Sequence, residues 1–326
     1  MKLYLGLAKN SPPQRTRVFG EISGRLVDLN LAYAACLAVR GEQATAYELA
    51  GWCFPENLAE FFQRGGPALK ALEETADFAR RLGVQDLHGP AGEKVVYDPI
   101  EIRILPPFQQ PEKSFVIGFS DRARLEAMPW AEIPTGFYKL PQTFVTTGAP
   151  VVMPKFSREV DADACLAIVI GKAGKRVPAA QAWEHVAGVT LLIDITARDI
   201  NRREGLTNNN LLGKNFPSST SLGPAVLLKP ARKELEAIEV ELSIDGDVKQ
   251  RFTLIDCVFS IEQIITRWSI LGIQPGDFFA IGASMALLRD RLQSPVPLKA
   301  GVNLRCFSPT IGELSHPVVS SGGLRQ

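Results

Sequence analysis

The sequence predicts an α+β fold rich in β-strands, with a small N-terminal α/β domain over residues 1–110 and a larger β-rich domain over residues 111–326. The length of 326 residues favours about two domains. In the second part, short apolar runs alternate with turn signals and few helical patterns intervene, which is typical of an α+β domain and not of a doubly wound sheet. The proline-rich stretch EIRILPPFQQPEK marks the boundary.

The first part contains patterns for both strands and helices. KLYLGLA predicts a strand, and GRLVDLNLAYAACLA predicts a second short strand followed by a helix. Residues 56–83 place apolar side chains at helical spacing, but Gly65, Gly66 and Pro67 interrupt the pattern. Two helices are therefore expected there.

The second part is dominated by β-type runs, which are SFVIGFS, PVVMP, ACLAIVIG, GVTLLIDI, AVLLKP, AIEVELSIDGDVKQRFTL, FFAIGA and VNLRCFS. Asp245 and Gly246 indicate a tight hairpin turn inside the longest run. Only two helices are expected, over residues 178–188 and 260–272. Ser260 is the predicted N-cap of the second, with Glu262 in its first turn.

Charge and cysteine content narrow the classes of function. With 36 basic and 35 acidic residues, the formal net charge is +1, so bulk electrostatics predict neither a nucleic-acid nor a membrane-surface partner. No segment reaches the ~20 continuous apolar residues of a membrane span, and the start lacks the ordered parts of a signal peptide. Five cysteines without a CxxC pair favour a reducing cytoplasm over a disulfide framework. We therefore expect a small molecule bound in a pocket.

The stretch VDADACLAIVIGKAGKR, residues 160–176, combines acidic side chains with an apolar run. In a strand, Asp161, Asp163 and Cys165 project from one face, because successive side chains alternate between faces. Such a face is either the solvated side of an edge strand or a cation site, and the stretch alone does not distinguish the two.

Residues from about 103 to 318 resemble the fumarylacetoacetate hydrolase family. The resemblance is carried by RILPPFQQPEKSFVIGFS, GFYKLPQTFVTTGAPVVMP, VDADACLAIVIGKAGKRVP, VAGVTLLIDITARDINRR, LLGKNFPSSTSLGP, SIDGDVKQ, FSIEQIITRWSILGIQPGDFFAIG and LKAGVNLRCFSPTIGELSHPV. Their order and spacing match across roughly two-thirds of the chain. The resemblance implies a mixed β-sandwich roll, a homodimer and a divalent cation (Mg²⁺, Mn²⁺ or Ca²⁺) held by carboxylates.

The resemblance also implies a class of chemistry. Family members hydrolyse, decarboxylate, hydrate, dehydrate or isomerise 2-oxo acids and 1,3-dicarbonyl compounds. A hard cation can chelate two oxygens of such an acid and stabilise the enolate charge that develops at the adjacent carbon. Fold similarity alone does not decide which of these reactions occurs.

The implied metal ligands are altered in this chain. Asp163 and Cys165 stand where the family usually has Glu-x-Glu, and Asp194 stands at the third acidic ligand. A thiol is a poor ligand for Mg²⁺ or Ca²⁺ and suits Zn²⁺ better. Three alternatives follow: Asp163 and Asp194 bind a hard cation weakly, all three residues bind a softer metal, or the metal site is lost and Cys165 is a buried filler. Asp161 is given a structural role.

The implied lid has lost its histidine. At the corresponding position the chain has Arg122 and Arg124, and its three histidines, at positions 88, 185 and 316, are expected to be structural. Arginine stays protonated and cannot act as a general base, but it can bind a substrate carboxylate. The change disfavours hydrolysis and favours lyase-type chemistry, isomerisation or simple binding.

The resemblance assigns further residues to the site. Lys214, Arg198, Asn201 and Arg124 are the predicted catalytic residues. Tyr138, Lys139, Arg122 and Ser284 are the predicted substrate-binding residues. Simpler explanations exist for several of them, such as a structural salt bridge of Arg198 with Asp199 or a neighbouring residue, or a packing role for Tyr138.

Three hypotheses for the function remain open. The first is a divergent enzyme of this family acting on an acidic 2-oxo acid or β-dicarbonyl compound by C–C cleavage, decarboxylation, hydration, dehydration or isomerisation, with a weakly bound Mg²⁺ or Mn²⁺ or with none. The second is a non-catalytic protein that binds a small acid or a partner. The third is a metal-independent enzyme of a specialised biosynthetic pathway. The retained lysine and arginine favour the first and third hypotheses.

Overall fold

The computed structural model describes residues 1–9, 15–118, 133–207, 209–282 and 297–322. Its leading part combines a group of strands with a group of helices. In chain order these are β1 (Lys2–Ala8), β2 (Arg17–Ile22), β3 (Arg25–Asp28), α1 (Leu29–Val39), α2 (Ala46–Cys53), α3 (Leu58–Arg64), α4 (Gly66–Leu82), β4 (Val96–Tyr97) and β5 (Ile102–Leu105).

The second part is built mainly from strands, which confirms the predicted β-rich α+β fold. In chain order its elements are β6 (Ser114–Ile117), β7 (Gly136–Tyr138), β8 (Phe144–Val145), β9 (Val151–Met153), β10 (Val160–Ile170), α5 (Ala179–Ala182), β11 (Val186–Ala197), α6 (Arg198–Gly205), β12 (Thr220–Leu228), α7 (Arg232–Glu236), β13 (Val240–Ile244), β14 (Asp247–Phe252), α8 (Ile261–Trp268), β15 (Phe278–Ile281), β16 (Asn303–Ser308) and β17 (Gly312–Ser320).

Local signals in the sequence located several boundaries. Gly65, with φ of 61°, separates α3 from α4, because glycine adopts this left-handed conformation without a steric penalty. Asp245 and Gly246 also have positive φ, 51° and 85°, and join β13 to β14 in a two-residue turn. Ser260 caps α8 by accepting a hydrogen bond from the backbone N–H of Gln263 at 3.2 Å.

The helices of the second part differ from the prediction. Of the helix expected over residues 178–188, only α5 and a short 3₁₀ turn form, because Val186 already begins the buried strand β11. Helices α6 and α7 were not predicted. The sequence of α6, RDINRREG, is polar nearly throughout, so it lacks the apolar periodicity that indicates a packed helix.

Two sheets organise these strands. A twelve-stranded sheet has the order β4-β3-β2-β1-β12-β11-β10-β15-β6-β7, with β5 paired to β1 and β8 paired to β12. A five-stranded sheet has the order β14-β13-β16-β17-β9. Because β1 pairs with β12, in the register Lys2↔Leu227, the strands of the leading part continue the large sheet. The division of the chain at residue 110 remains a prediction.

Strand β10 is buried on both faces beyond its first few residues. One face packs into the main core, through Val160, Ala162, Ala164, Leu166, Ile168 and Ile170. The other face, through Cys165, Ala167 and Val169, packs into a core shared with the leading helices. Asp161 and Asp163 precede these residues on that second face. The start of β10 is therefore polar, and apolar residues enclose the rest of the strand.

A side chain from the second sheet holds this end of β10. Gln250 of β14 accepts a hydrogen bond from Ala164 N at 2.7 Å through Oε1, and donates one to Ala164 O at 3.0 Å through Nε2. In the described residues, the register between β10 and β15 ends at Leu166↔Ile281. The side-chain amide of Gln250 thus bonds the backbone N–H and C=O of Ala164, which a neighbouring strand would bond in a continuous sheet.

Among the described helices, none is both long enough and apolar enough to cross a bilayer. The predicted cytoplasmic location remains a prediction.

Replacing Gln250 with leucine should lower the free energy of unfolding by about 2–4 kcal/mol, because each backbone group of Ala164 left buried without this partner costs ~1–3 kcal/mol. Urea denaturation measures the change. The control is Gln85→Leu, since Gln85 is exposed and its amide bonds only the adjacent Asp86, at 3.2 Å. A loss of stability no larger than in the control would contradict the assigned role.

Candidate functional site

One cavity brings together most of the polar residues predicted for the site. It lies where β10 begins and β11 ends, and its volume is about 230 Å³. Six predicted residues line it, namely Asp163, Cys165, Asp194, Arg198, Asn201 and Lys214. The other lining residues are Val116, Ile117, Gly118, Thr135, Gly136, Phe137, Ala164, Asn210, Gln250 and Gly282.

The pairing of β10 with β11 creates this convergence. The two strands are antiparallel, and Asp163 lies directly opposite Asp194. Directly opposed residues present their side chains on the same face of a sheet. Cys165 shares that face because it follows Asp163 by two residues.

Asp194 is buried between two lysines. Lys139 Nζ donates to its Oδ1 at 2.9 Å, and Lys214 Nζ donates to its Oδ2 at 2.6 Å. Lys139 also bonds the carbonyl oxygens of Ser219, at 3.0 Å, and of Lys214, while Lys214 donates to Thr196 Oγ1 at 2.7 Å. Both carboxylate oxygens of Asp194 are therefore bound by charged donors.

Burial and these contacts shift the pKa values of Asp194 and Lys139. Burial alone would raise the pKa of Asp194, but the two ammonium groups outweigh it and hold that pKa well below its ordinary value. Burial lowers the pKa of Lys139 to about 8, against the attraction of Asp194. The cluster is thus a buried network of opposite charges.

Arg198, the first residue of α6, is held by the start of β10. Its Nε donates to Asp161 Oδ2 at 3.1 Å, and its Nη2 donates to Asp163 Oδ2 at 2.6 Å. The alternative role of Arg198, a structural salt bridge, is thus compatible with the structure, with Asp161 and Asp163 as partners. Asp199 instead accepts a hydrogen bond from Ser157 Oγ at 2.5 Å. Burial and the neighbouring Asp163 raise the pKa of Asp161 to about 6.

Cys165 is a buried, neutral thiol. Its exposed fraction is 4%, and burial raises its pKa well above the ordinary value, with the charges of Asp194 and Asp163 acting in the same direction. A Cβ atom on Gly282 would lie 3.2 Å from the sulfur and would collide with the carbonyl oxygen of Ala164. Gly282 therefore allows the chain to pass close to β10 at this point.

The three residues predicted as metal ligands do not form a hard-cation site in this geometry. Mg²⁺ and Ca²⁺ require several oxygen ligands. Both oxygens of Asp194 and one of Asp163 accept hydrogen bonds from cationic side chains, and Cys165 is a neutral thiol. Across the described ranges, no group of three or more His, Cys, Asp or Glu side chains is arranged to hold a metal ion. The arrangement favours the alternative in which Cys165 fills a former ligand position, and the metal role of these residues remains a prediction.

Two asparagines form an amide pair in the cavity wall. Asn201 of α6 donates through Nδ2 to Oδ1 of Asn210, and both residues line the cavity. The loop carrying Asn210 approaches the helix closely, since a Cβ on Gly213 would lie 2.7 Å from the backbone nitrogen of Asn201. This part of the cavity wall thus offers neutral amide groups.

The other predicted residues lie elsewhere. The ring of Tyr138 packs against Phe115 at 4.9 Å, and Tyr138 is absent from the described lining. Lys139 was expected at the substrate entrance, but it is fully buried. Asp194, to which Lys139 is bonded, lines the cavity instead. Arg122, Arg124 and Ser284 lie outside the described residues. The substrate-binding and catalytic roles of these residues remain predictions.

The three histidines lie away from the cavity, as their expected structural roles require. His185 and His316 are buried, and their ring nitrogens contact the carbonyl oxygens of Lys172 and Ala149 at 2.8 and 2.7 Å. His88 belongs to the leading part of the chain. The cavity therefore has no imidazole to act as a base.

Several residues of the site were not predicted, among them Thr196, Phe137 and Gln250. Thr196 follows Asp194 by two residues in β11, so strand alternation contained the signal. The Phe137 ring centroid lies 4.2 Å from Lys214 Nζ, a cation–π contact whose local signal was its position beside the predicted Tyr138. Gln250 ends the motif SIDGDVKQ that carries the family resemblance, but the motif does not indicate its contact with β10.

Comparisons with known proteins identify the family. The family model for the fumarylacetoacetate (FAA) hydrolase C-terminal region matches residues 118–319. Oxaloacetate tautomerase fahd2, mitochondrial, of Xenopus laevis is 29% identical over 322 residues, which cover 98% of this chain and 90% of that protein. Oxaloacetate tautomerase FAHD2B, mitochondrial, of Homo sapiens is 31% identical over 269 residues, or 81% of this chain and 80% of that protein.

Solved structures share the fold over nearly the whole chain. Maleylpyruvate hydrolase from Sphingobium sp. SYK-6 has a TM-score of 0.70 at 18% identity, covering 98% of this chain and 100% of its own. Its complex with manganese(II) and pyruvate has a TM-score of 0.69 and covers 98% of this chain and 99% of its own. The names of the tautomerase relatives bear out the predicted class, an enzyme for 2-oxo acids or β-dicarbonyl compounds. The chain belongs to the fumarylacetoacetate hydrolase family.

Proposed function

We propose that this chain catalyses the keto–enol tautomerisation of a small 2-oxo dicarboxylic acid of the oxaloacetate type. The proposal rests chiefly on one observation, that Lys214, Arg198 and Asp163 face the same small polar cavity. An ammonium, a guanidinium and a carboxylate are the groups needed to bind such an acid and move one proton on it. The relatives named oxaloacetate tautomerases support this choice of reaction.

Lys214 stabilises the enolate oxygen. An ammonium has three N–H donors, and the bonds to Asp194 and Thr196 use two of them. The third is directed to the oxygen on which negative charge develops as the α-proton leaves. The ring of Phe137 covers part of the ammonium, and the resulting exclusion of water strengthens the interaction.

Arg198 binds a substrate carboxylate, and Asp163 carries the proton. The bonds to Asp161 and Asp163 use Nε and Nη2 of Arg198, so Nη1 serves the substrate. Asp163 removes a proton from the carbon next to the carbonyl and returns it to the enolate oxygen. Asp163 is assigned this role because it lines the same cavity as Lys214 and Arg198.

Tautomerisation fits this site better than hydrolysis. Histidine is the usual base that activates water for attack on a carbonyl, and the three histidines of the chain do not line the cavity. An internal proton transfer requires no attacking water. The described residues do not form a site for a metal ion, so the proton transfer is assigned to side chains alone.

The assembly and the location of the protein are proposals as well. A homodimer and a cytoplasmic location were predicted from the sequence, as was the absence of nucleic-acid and membrane partners. The two named tautomerase relatives are mitochondrial. An acidic small molecule is the proposed binding partner, since two cationic side chains line the cavity.

The purified protein should accelerate the conversion of enol-oxaloacetate to its keto form, followed by the ultraviolet absorbance of the enol. Lys214→Met should lower kcat by about 10²–10³-fold, the usual effect of losing one oxyanion donor. Asp163→Asn should lower kcat by about 10²–10⁴-fold through loss of the proton carrier.

The matched control is Lys172→Met, since Lys172 is an exposed lysine paired with Glu184 at 3.1 Å, far from the cavity. Its activity should equal that of the wild type. A wild-type rate no faster than the buffer rate would overturn the proposed function and favour a non-catalytic binding protein. Full activity in Lys214→Met would overturn the role of the lysine alone.

Replacing Cys165 with glutamate should tighten Mg²⁺ binding by about tenfold or more, because it restores a hard carboxylate ligand. Calorimetric titration of the wild type and the variant measures the change, with Cys165→Ser as a control that adds no charge. If Cys165→Glu folds normally and its Mg²⁺ affinity does not rise, position 165 is not the lost ligand position.

A further inference from the structure

Glu204, in the last turn of α6, binds the loop that carries Asn210. Its Oε2 accepts hydrogen bonds from the backbone N–H groups of Leu211 at 3.1 Å and Gly213 at 2.9 Å, and its Oε1 accepts one from Leu212 at 2.7 Å. Three consecutive backbone N–H groups directed at one carboxylate form an anion-binding nest. The loop's nest is therefore filled by a side chain of the neighbouring helix.

This nest is the main attachment of an otherwise exposed loop. The side chains of Leu206, Leu211 and Leu212 are 86%, 59% and 46% exposed, so little apolar burial holds the loop against the protein. Other contacts of this loop among the described residues are the amide pair of Asn201 with Asn210, bonds from Ala197 N to Gly213 O at 2.8 Å and from Asn209 N to Glu204 O at 3.1 Å, and a bond from Asn215 Nδ2 to Leu211 O at 3.0 Å. Because hydrogen bonds to an ionised acceptor are stronger than neutral ones, Glu204 dominates this attachment.

The lysine that follows the loop is anchored separately. Lys214 Nζ is bound by Asp194 and Thr196, and the backbone oxygen of Lys214 accepts a bond from Lys139. None of these contacts involves Glu204. Loosening the nest would therefore displace Asn210 and leave the ammonium of Lys214 in place.

We propose that Glu204 is a positioning residue that fixes Asn210 in the cavity wall and thereby sets the affinity for the substrate without taking part in the chemical step. The inference rests on the proposed function for its kinetic test. Lys214 is anchored independently of the loop. Changing Glu204 should therefore raise KM, whereas changing Lys214 should lower kcat.

The test compares Glu204→Gln with Asn210→Ala. Glutamine keeps the shape of glutamate but replaces one acceptor oxygen by an NH₂ group, which cannot accept from the loop. Glu204→Gln should raise KM about tenfold, equivalent to ~1.4 kcal/mol of lost binding, with kcat changed less than about threefold. Asn210→Ala should do the same, and the double variant should be no worse than either single one, because both changes remove one interaction.

Hydrogen exchange of residues 209–215 provides a second readout. Exchange should be at least about tenfold faster in Glu204→Gln than in the wild type, because the nest no longer closes. Glu236→Gln is the matched control: Glu236 is also a helical glutamate, but it pairs with Arg232 at 2.9 Å. It should leave exchange in this loop, KM and kcat unchanged.

An unchanged KM in Glu204→Gln, a loss confined to kcat, or additive effects in the double variant would each overturn the proposal. If the wild type shows no tautomerase activity, the proposed function fails, and the role of Glu204 is judged by calorimetric binding of oxaloacetate with the same variants. Weaker binding together with faster loop exchange would then support it. Unchanged binding or unchanged exchange would overturn it.

Discussion

The buried ion cluster of Asp194, Lys139 and Lys214 connects the parts of the chain on which the site is built. Lys139 follows β7, Asp194 lies in β11, and Lys214 precedes β12. Each lysine bonds a different oxygen of the same carboxylate, and Lys139 also bonds backbone oxygens at the start of β12. Removing one member would leave a buried charge without its partner, which destabilises a protein more than the complete cluster stabilises it. The position of Lys214 is thus tied to the integrity of the fold.

A second ion cluster gives the cavity its charge balance. Arg198 bonds Asp161 and Asp163, so three carboxylates in and beside the cavity face three cations. An anionic substrate must therefore share Arg198 and Lys214 with carboxylates already bound to them. In the proposed function it does so through donors that these bonds leave over, namely Nη1 of Arg198 and the third N–H of Lys214.

The sequence predicted the parts of the fold and of the site that depend on local pattern or on the order of motifs. Strand alternation predicted that Asp163 and Cys165 share a face, and the family resemblance added Asp194, Arg198 and Lys214. The direction of the Lys139 side chain could not be predicted, because a lysine beside a pocket can point into it or away from it. Helix α6 was missed because it is polar nearly throughout. Gln250 and Glu204 act through contacts with distant strands or with a loop, and no local pattern encodes such contacts.

The pairing of β1 with β12 has a consequence for the synthesis of the protein. Leu227 leaves the ribosome 225 residues after its partner Lys2, so the Lys2–Leu3 end of β1 lacks its partner on this edge while most of the chain is made. The rest of the same edge, Leu5–Ala8, pairs with β5, which is made much earlier. Contacts between residues distant in sequence form slowly, and open strand edges promote association between chains. The early pairing with β5 therefore confines the open part of this edge to two residues until β12 has been made.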